Sequence, residues 1–234
     1  MAGDYEALKN KQTELIRKAL DGSVFLSSDL TVTGAIATLT TWRPAVVGPP
    51  AIPAGVDLAP LPVTYEDLGW LDTAGAQFSR DVASSEVTSW GSVSPTRTDV
   101  TSDTTTLSVT AQETKLLTIG MATGADMSQV KAAFRTGEVS IAKPSRPKPK
   151  HYRALSLAVD QGDGGEIYLG RFLPRAKVTG YSEQAHGGGD DPIAWGVTMT
   201  GEEDSTLGYS ERWFFGGPGW LALLSDMGFE QLTV

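Results

Sequence analysis

Apolar residues recur along the chain first at helical spacing and then, for most of its length, at every second position. Over residues 5–20, Tyr5, Leu8, Leu15, Ile16, Ala19 and Leu20 make one apolar stripe, while Glu6, Lys9, Lys11, Glu14, Arg17 and Lys18 fill the other side. That spacing predicts an amphipathic helix. Asp21-Gly22 stops it, since glycine commonly follows a helix end. Residues 1–22 therefore read as an N-terminal helical arm ahead of one β domain over 23–234.

Short strand-like runs follow at 24–26 and 35–42. From Tyr65 onward the period is two: Phe78, Arg80 and Val82 alternate with Gln77, Ser79 and Asp81, and another run covers 86–90. Residues 96–112 are dominated by Thr and Ser, with Leu107 and Val109 among few apolar members. The β-branch of threonine favours strands. A long strand that is polar on both faces suits a ribbon exposed on both sides, or one paired between subunits. Residues 115–133 read as helical in pieces, ended by Gly137, and 139–141 as a short strand. Two hairpins then stand out. Strands at 152–160 and 166–172 flank Gln161-Gly162-Asp163-Gly164-Gly165, and strands at 176–183 and 192–201 flank Gly187-Gly188-Gly189-Asp190-Asp191. Such hairpins predict an antiparallel sheet or barrel and not a βαβ fold. Near the end, Pro218 fits the first turn of a short helix that Gly228 closes.

One stretch breaks the β pattern. Pro44, Pro49, Pro50, Pro53, Pro60 and Pro62 crowd into residues 43–64 with Gly48 and Gly55. Proline fixes φ and removes a donor, so this stretch cannot be a sheet interior. Its other residues, Ala45, Val46, Val47, Ile52, Val56, Leu58 and Leu61, are too apolar for a disordered linker. It reads as an arm that docks on something.

Composition narrows the function classes. The chain has 234 residues, a net charge of −9 and no cysteine. The acidic balance argues against gripping nucleic acid by its phosphates, which takes a basic footprint; an acidic wall would instead let a polyanion slide past. Without cysteine there is no disulfide framework and no thiolate site. The start lacks the basic and apolar regions of a secretory signal, and no apolar run approaches the ~20 residues that span a bilayer.

Catalytic devices are missing too. Ser182 and Ser210 follow Gly-Tyr but lack the closing glycine of a nucleophile elbow. No phosphate-binding Gly-Lys-Ser/Thr loop occurs. The two histidines, His151 and His186, fall in no metal-ligand pattern. Asp160, Asp163 and Glu166, or Asp190 and Asp191, could offer oxygen ligands to calcium, but without EF-hand spacing; acidic residues in glycine-rich turns ordinarily just make the turn. No cofactor, metal or enzymatic activity is expected. Charge is segregated, however. Lys143, Arg146, Lys148, Lys150 and Arg153 carry five positive charges, so with a total of −9 the rest of the chain carries −14. Head-to-tail stacking needs different, complementary faces on one subunit; this segregation could supply them, the alternative being that the basic run is a solvated linker.

A series of short motifs adds a resemblance. It begins at Tyr65-Glu66-Asp67-Leu68-Gly69-Trp70-Leu71 and continues through Gln77-Phe78-Ser79-Arg80-Asp81-Val82, Ser89-Trp90-Gly91-Ser92 and Pro95-Thr96-Arg97-Thr98-Asp99. Thr104-Thr105-Thr106-Leu107 and Gln112-Glu113-Thr114 follow. Later come Gly170-Arg171-Phe172-Leu173-Pro174-Arg175-Ala176-Lys177-Val178, Asp190-Asp191-Pro192-Ile193, Leu207-Gly208-Tyr209-Ser210 and Arg212-Trp213-Phe214-Phe215-Gly216-Gly217-Pro218-Gly219-Trp220. In order and number these resemble the major tail (tail tube) proteins of long-tailed actinobacterial phages, over most of residues 20–230. No single motif is diagnostic, and the proline-rich stretch matches least.

The resemblance implies a mainly β, tail-tube-like β-sandwich or partial barrel with a flanking α-helix. It implies a structural subunit in the virion tail, made in the host cytoplasm. It also implies hexameric rings that stack around a tape measure protein and later conduct genomic double-stranded DNA without binding it specifically. Its partners would be itself, the tape measure protein, and tail terminator and tip proteins, with no membrane. The ribbon 96–112 and the strands 152–160, 166–172 and 192–201 are candidates for an inner barrel shared between subunits, which would also hide their edges. Contacts between copies or rings are expected from the helix (Tyr5, Leu8, Leu15, Ile16), the proline-rich arm (Pro49, Pro50, Ile52) and the basic run (Lys143, Arg146, Lys148, Lys150, Arg153). The rival reading is a carbohydrate-binding β-sandwich module on a virion surface, using exposed aromatics such as Trp42, Trp70, Trp90 and Trp195, although large aromatics are more often packing groups.

Overall fold

The computed structural model describes residues 9–47, 49, 51–146, 150–189 and 191–232. Among these the chain is mainly antiparallel β, with no closed barrel. Its strands are β1 (Asp21–Ser27), β2 (Thr40–Arg43), β3 (Gly55–Leu58), β4 (Glu66–Asp67), β5 (Gln77–Val87), β6 (Arg97–Ala111), β7 (His151–Gly162), β8 (Gly165–Tyr181), β9 (Trp195–Glu202) and β10 (Arg212–Gly216). Two helices, α1 (Leu116–Thr123) and α2 (Pro218–Ala222), flank them.

The main sheet runs β4-β1-β7-β8-β9-β6-β5, with β10 on β8, and β2 and β3 form a separate pair. Strand β8 is the spine. The sequence reads its two ends as separate strands, yet it is one 17-residue strand. Its first half pairs β7 and β10, its second half β7 and β9. Pro174 sits inside it, where a proline should break the ladder. The ladder bulges there: Tyr152 opposes Ala176 and Ala154 opposes Leu173, so Pro174 and Arg175 together face Arg153. The bulge excuses the missing N–H.

Alternation along these strands builds two cores. Val24 and Leu26 of β1, Ala154 of β7, Leu173 of β8, Val197 and Met199 of β9, and Leu107 and Val109 of β6 meet in the first, with Leu68 and Met121 of α1. Strands β1 and β6 lie four places apart in the sheet, so sharing a core requires the sheet to curl. The segment after β4 spans the gap: Leu68 N–H donates to Val24 and Gln112 N–H to Trp70, and Leu71 bridges Ala111. The second core lies on the other face, where Ile36, Leu39, Leu155, Leu157, Tyr168, Phe172 and Phe214 pack together.

Four sequence expectations change. The helix over 5–20 is not formed where it is described; residues 9–20 contain one 3₁₀ turn, Thr13–Leu15. Their polar groups go to the end of β7 instead. Leu20 N–H donates to Val159, Lys18 N–H donates to Asp160, and Arg17 pairs with Asp160 at 3.8 Å. A short isolated helix is marginal in water, and tertiary pairing overrides its stripe. The helix begun at Leu116 stops at Thr123, not at Gly137, because Gly124 takes the left-handed conformation (φ 64°) that ends helices. Residues 139–141 find no partner and form no strand. Of the run 35–42 only β2 is a strand, since Ile36 and Leu39 dip into the second core. The proline-rich stretch keeps out of the main sheet as expected, but folds back on itself through β2–β3, tied by Arg43 Nε to Asp57 at 2.6 Å.

Candidate assembly surface

The hairpin of β5 and β6 leaves the body of the protein. Strand β6 pairs β9 only from Thr106 to Ala111. Beyond that point residues 97–105 pair with β5 alone, over 80–87. The outer edge of β5 is unpaired among the described residues, because β5 ends the sheet. The ribbon expected to be polar on both faces is thus two things. Its distal half is exposed on both faces, whereas from Thr104 to Ala111 one face is buried in the first core. At about 3.3 Å per residue the free ribbon reaches roughly 25 Å.

Local chemistry stiffens this arm. Thr101 is the extra residue of a bulge and donates Oγ1–H to the Ala83 carbonyl at 3.1 Å. Arg80 pairs with Asp103 across the strands, holding that carboxyl below its ordinary range, and Arg97 Nε pairs with Asp99 at 2.6 Å. Asp81 and Glu86 add acidic charge, so the arm is net negative. At the tip, Trp90 and Val93 are fully exposed, with Val82, Val87 and Val100 exposed along the shaft.

The root is locked by groups that are far apart in sequence. The Arg171 guanidinium lies between the rings of Phe78 (3.7 Å) and Trp213 (4.1 Å). It also donates to Glu211 from Nε at 2.6 Å and pairs with it through Nη2 at 2.5 Å. Glu211 in turn accepts from Thr105 Oγ1 at 3.0 Å. Stacking and a charge-assisted bond together fix where the arm points. Sequence reasoning found none of these roles, although Phe78, Thr105, Arg171 and Trp213 all stand in its motifs. Nothing in their spacing says they meet.

The expected contact residues do not form one surface. Tyr5, Leu8, Pro50 and Lys148 lie outside the described residues. Leu15 is half-buried in its 3₁₀ turn and Ile16 is exposed. Pro49 and Ile52 are exposed at the tip of the β2–β3 pair, where Ile52 bridges Val46. Lys143, Arg146 and Lys150 are exposed. Arg146 and Lys150 flank a groove of about 670 Å³ that is lined also by Met121, Tyr152, Val178 and Tyr181. Burial holds the Tyr152 phenol up at about 12. Arg153 is different and must be removed from the basic surface: it is 1% exposed. Its Nε donates to Asp29 O at 3.0 Å and its Nη2 to Leu30 O and Thr31 O at 2.9 Å each; Asp204 Oδ2 stands 3.6 Å away. A buried guanidinium needs that many acceptors.

Of the candidate calcium ligands, Asp190 lies outside the described residues, and Asp160 and Glu166 have other partners. Asp160 accepts from Lys18 N–H and Gln161 N–H, and Glu166 accepts from the Tyr168 hydroxyl at 2.5 Å. Among the described residues no group of three or more acidic or histidine side chains could hold a metal, and no helix is long and apolar enough to cross a membrane.

A β subunit that holds a stiff two-stranded arm clear of its own core has the form of a self-assembling structural protein. A profile of the phage tail tube protein family matches residues 12–207, and the chain belongs to that family. It is a structural component of the virion tail. No curated protein matches the chain. A chain from the virion of a native gene transfer agent particle is 12% identical, aligned over 67% of this chain and 92% of that one, with a TM-score of 0.28; overlap that low carries no argument.

Proposed function

We propose that this subunit builds the tail tube by forming hexameric rings that stack, in keeping with the family resemblance, and that the tube conducts genomic double-stranded DNA. The protruding arm carries the reading. A two-stranded ribbon is marginal in water by itself, and a long free edge invites another strand. Both problems vanish if a neighbouring copy covers the arm. Such a contact joins two different surfaces of one subunit, the heterologous geometry that generates rings and open stacks. If six copies each lend four strands at ~4.8 Å spacing, the shared barrel has a backbone diameter of about 37 Å before strand tilt widens it.

The arm is acidic and ends in Trp90 and Val93; the groove lined by Met121 and Tyr181 carries Arg146 and Lys150 against a single carboxylate, Asp126. These surfaces complement each other between copies. The tape measure protein would occupy the bore before DNA, and tail terminator and tip proteins would cap the ends. Electron microscopy of the purified protein at rising concentration tests this reading, beside a variant with residues 84–99 replaced by a tight turn and a variant with Lys143, Arg146, Lys148 and Lys150 changed to serine. Wild type should give hollow tubes or stacked rings; the shortened arm should give none, and the serine variant fewer and shorter ones. Equal polymerisation by all three would overturn the roles given to the arm and the basic run.

A further inference from the structure

Two exposed apolar features of the subunit lack cover of their own. The first is the proline-rich finger that β2 and β3 begin. Beyond those strands its limbs are held together by Val46 and Ile52, which exchange backbone hydrogen bonds of 2.8 and 3.1 Å, and by Arg43, whose Nη1 donates to the Pro53 carbonyl at 2.6 Å. Arg43 is itself neutralised by Asp57. Pro44, Pro49 and Pro53 fix φ along the limbs, so the finger is stiff before it meets anything. Residues 44–54 contain no charged side chain. At the tip Val47 is 99% exposed, with Val46, Pro49 and Ile52 also in water.

The second is a ladder of aromatic rings on β10, α2 and the residues after it. Phe214 points into the second core, so Trp213 and Phe215 on either side of it face outward. Trp220 of α2 is laid against Phe215, with centroids 5.0 Å apart and planes at 18°. Trp213 stands 6.1 Å from Phe215, and Phe229 5.9 Å from Trp220. Close backbone approach sets that order: α2 presses on the β7–β8 turn, where a Cβ on Gly219 would collide with the Gly165 carbonyl. Trp213, Phe215 and Phe229 are each about half exposed. At ~150–250 Å² per ring they leave on the order of 300 Å² of aromatic surface in water, within the range of the largest patch that an ordinary monomer shows. Residues 213–224 are uncharged as well.

The finger does not cover the ladder of its own subunit. Thr40 of β2 packs on Gly216 of β10, so the base of the finger adjoins the ladder, yet tip and ladder both stay exposed. Their chemistry matches. Proline-bearing segments dock on aromatic-lined surfaces, and a stiff one loses little freedom in doing so. Neither surface brings a charge that would have to be stripped of water. A sugar is less suited: Arg171 covers one face of Trp213, and Phe215 and Trp220 cover each other, which leaves clefts between tilted rings and few open faces. The ladder also begins at the Arg171 cage, at the root of the arm, so the neighbour that covers the arm comes to lie beside it. We infer that the finger of one copy, through Val47, Pro49 and Ile52, seats on the ladder of Trp213, Phe215, Trp220 and Phe229 of another copy. Such a contact joins two different surfaces and so repeats from copy to copy. The inference rests on the tube reading and adds to it a second joint between subunits.

A benzophenone amino acid placed at Val47 of the tail protein reports what the tip touches. Virion tails confirmed as tubes by microscopy are irradiated, and covalent dimers, separated under denaturing conditions, are digested and mapped. The dimers should join the finger to peptides from residues 212–229 of a second copy, at least tenfold more often than when the same group stands at Val63, which is exposed but outside the tip. A companion variant, Val47→Asp, should keep the denaturant midpoint of the free subunit and give at least tenfold fewer tubes. Dimers mapped elsewhere, or a charge at position 47 that leaves the tube yield unchanged, would overturn the inference while leaving the tube reading intact. Virion tails whose tube lacks this chain would defeat both.

Discussion

Arg153 shows what a single residue can hide. In the sequence it closes a basic run and reads as a surface charge. In the fold it enters β7, whose neighbours are apolar, and the bulge at Pro174 turns it under the loop 29–31. It then ties that loop and the Asp204 turn to the sheet. Replacing it by methionine keeps the bulk but leaves three loop carbonyls and Asp204 without their donor. Breaking a buried pair this way costs about 3–5 kcal/mol, so Arg153→Met should lower the denaturant midpoint of the free subunit strongly. Arg153→Lys should recover little, since an ammonium cannot span the same acceptors. A midpoint unchanged in Arg153→Met would contradict the internal role. Charge runs show the sign of residues and not their burial; only the strand that follows Lys150 indicates that Arg153 is inside. Gly69 is more legible. It sits in the motif Tyr65–Leu71, has φ 85°, and a Cβ there would collide with the Glu113 carboxyl.

At the scale of elements, period-two patterns transferred well and the helical stripe did not. β6, β7 and β9 fall close to where alternation and turn glycines put them, because strands buried on one face advertise that face, whereas the exposed β5 runs unbroken from Gln77 to Val87 and takes in only the start of the run read at 86–90. The stripe over 5–20 lost because backbone partners at the end of β7 are visible only in three dimensions. Likewise the ribbon 96–112 is legible as a strand, but where it leaves the sheet depends on how far β9 extends. The cage around Arg171 sets the arm's direction. Arg171→Ala removes a cation between two rings and leaves Glu211 half-buried without its partner, a loss of about 2–3 kcal/mol. Hydrogen exchange should then quicken in the amides of 97–105 more than in β7, with tube yield falling. Uniform exchange across both segments would mean the cage does not govern the arm.

For the whole molecule, composition excluded more than it assigned. No cysteine, few histidines and an acidic balance removed a disulfide scaffold and a phosphate-gripping surface, while the motif series pointed to the family that the profile matches. Two features of the assembled unit were out of reach. The threonines and serines of the face not covered by the second core are spread over four strands, so their common face exists only once register is fixed. The acidic charge is a property of the chain, whereas where that charge lies on the surface depends on the fold. Both follow from the curl of one sheet around its first core, which leaves a covered side, a hydroxyl side and a projecting arm on a single subunit.

Electron cryomicroscopy of the virion tail, at a resolution that traces strands, would show directly whether copies of this chain build the tube and whether the arm joins them. The expected result is a hollow tube of repeated copies of this chain, with residues 80–105 of each copy packed against a neighbouring copy. A tail whose tube is built of another polypeptide, or one in which this arm stands free in solvent, would contradict it.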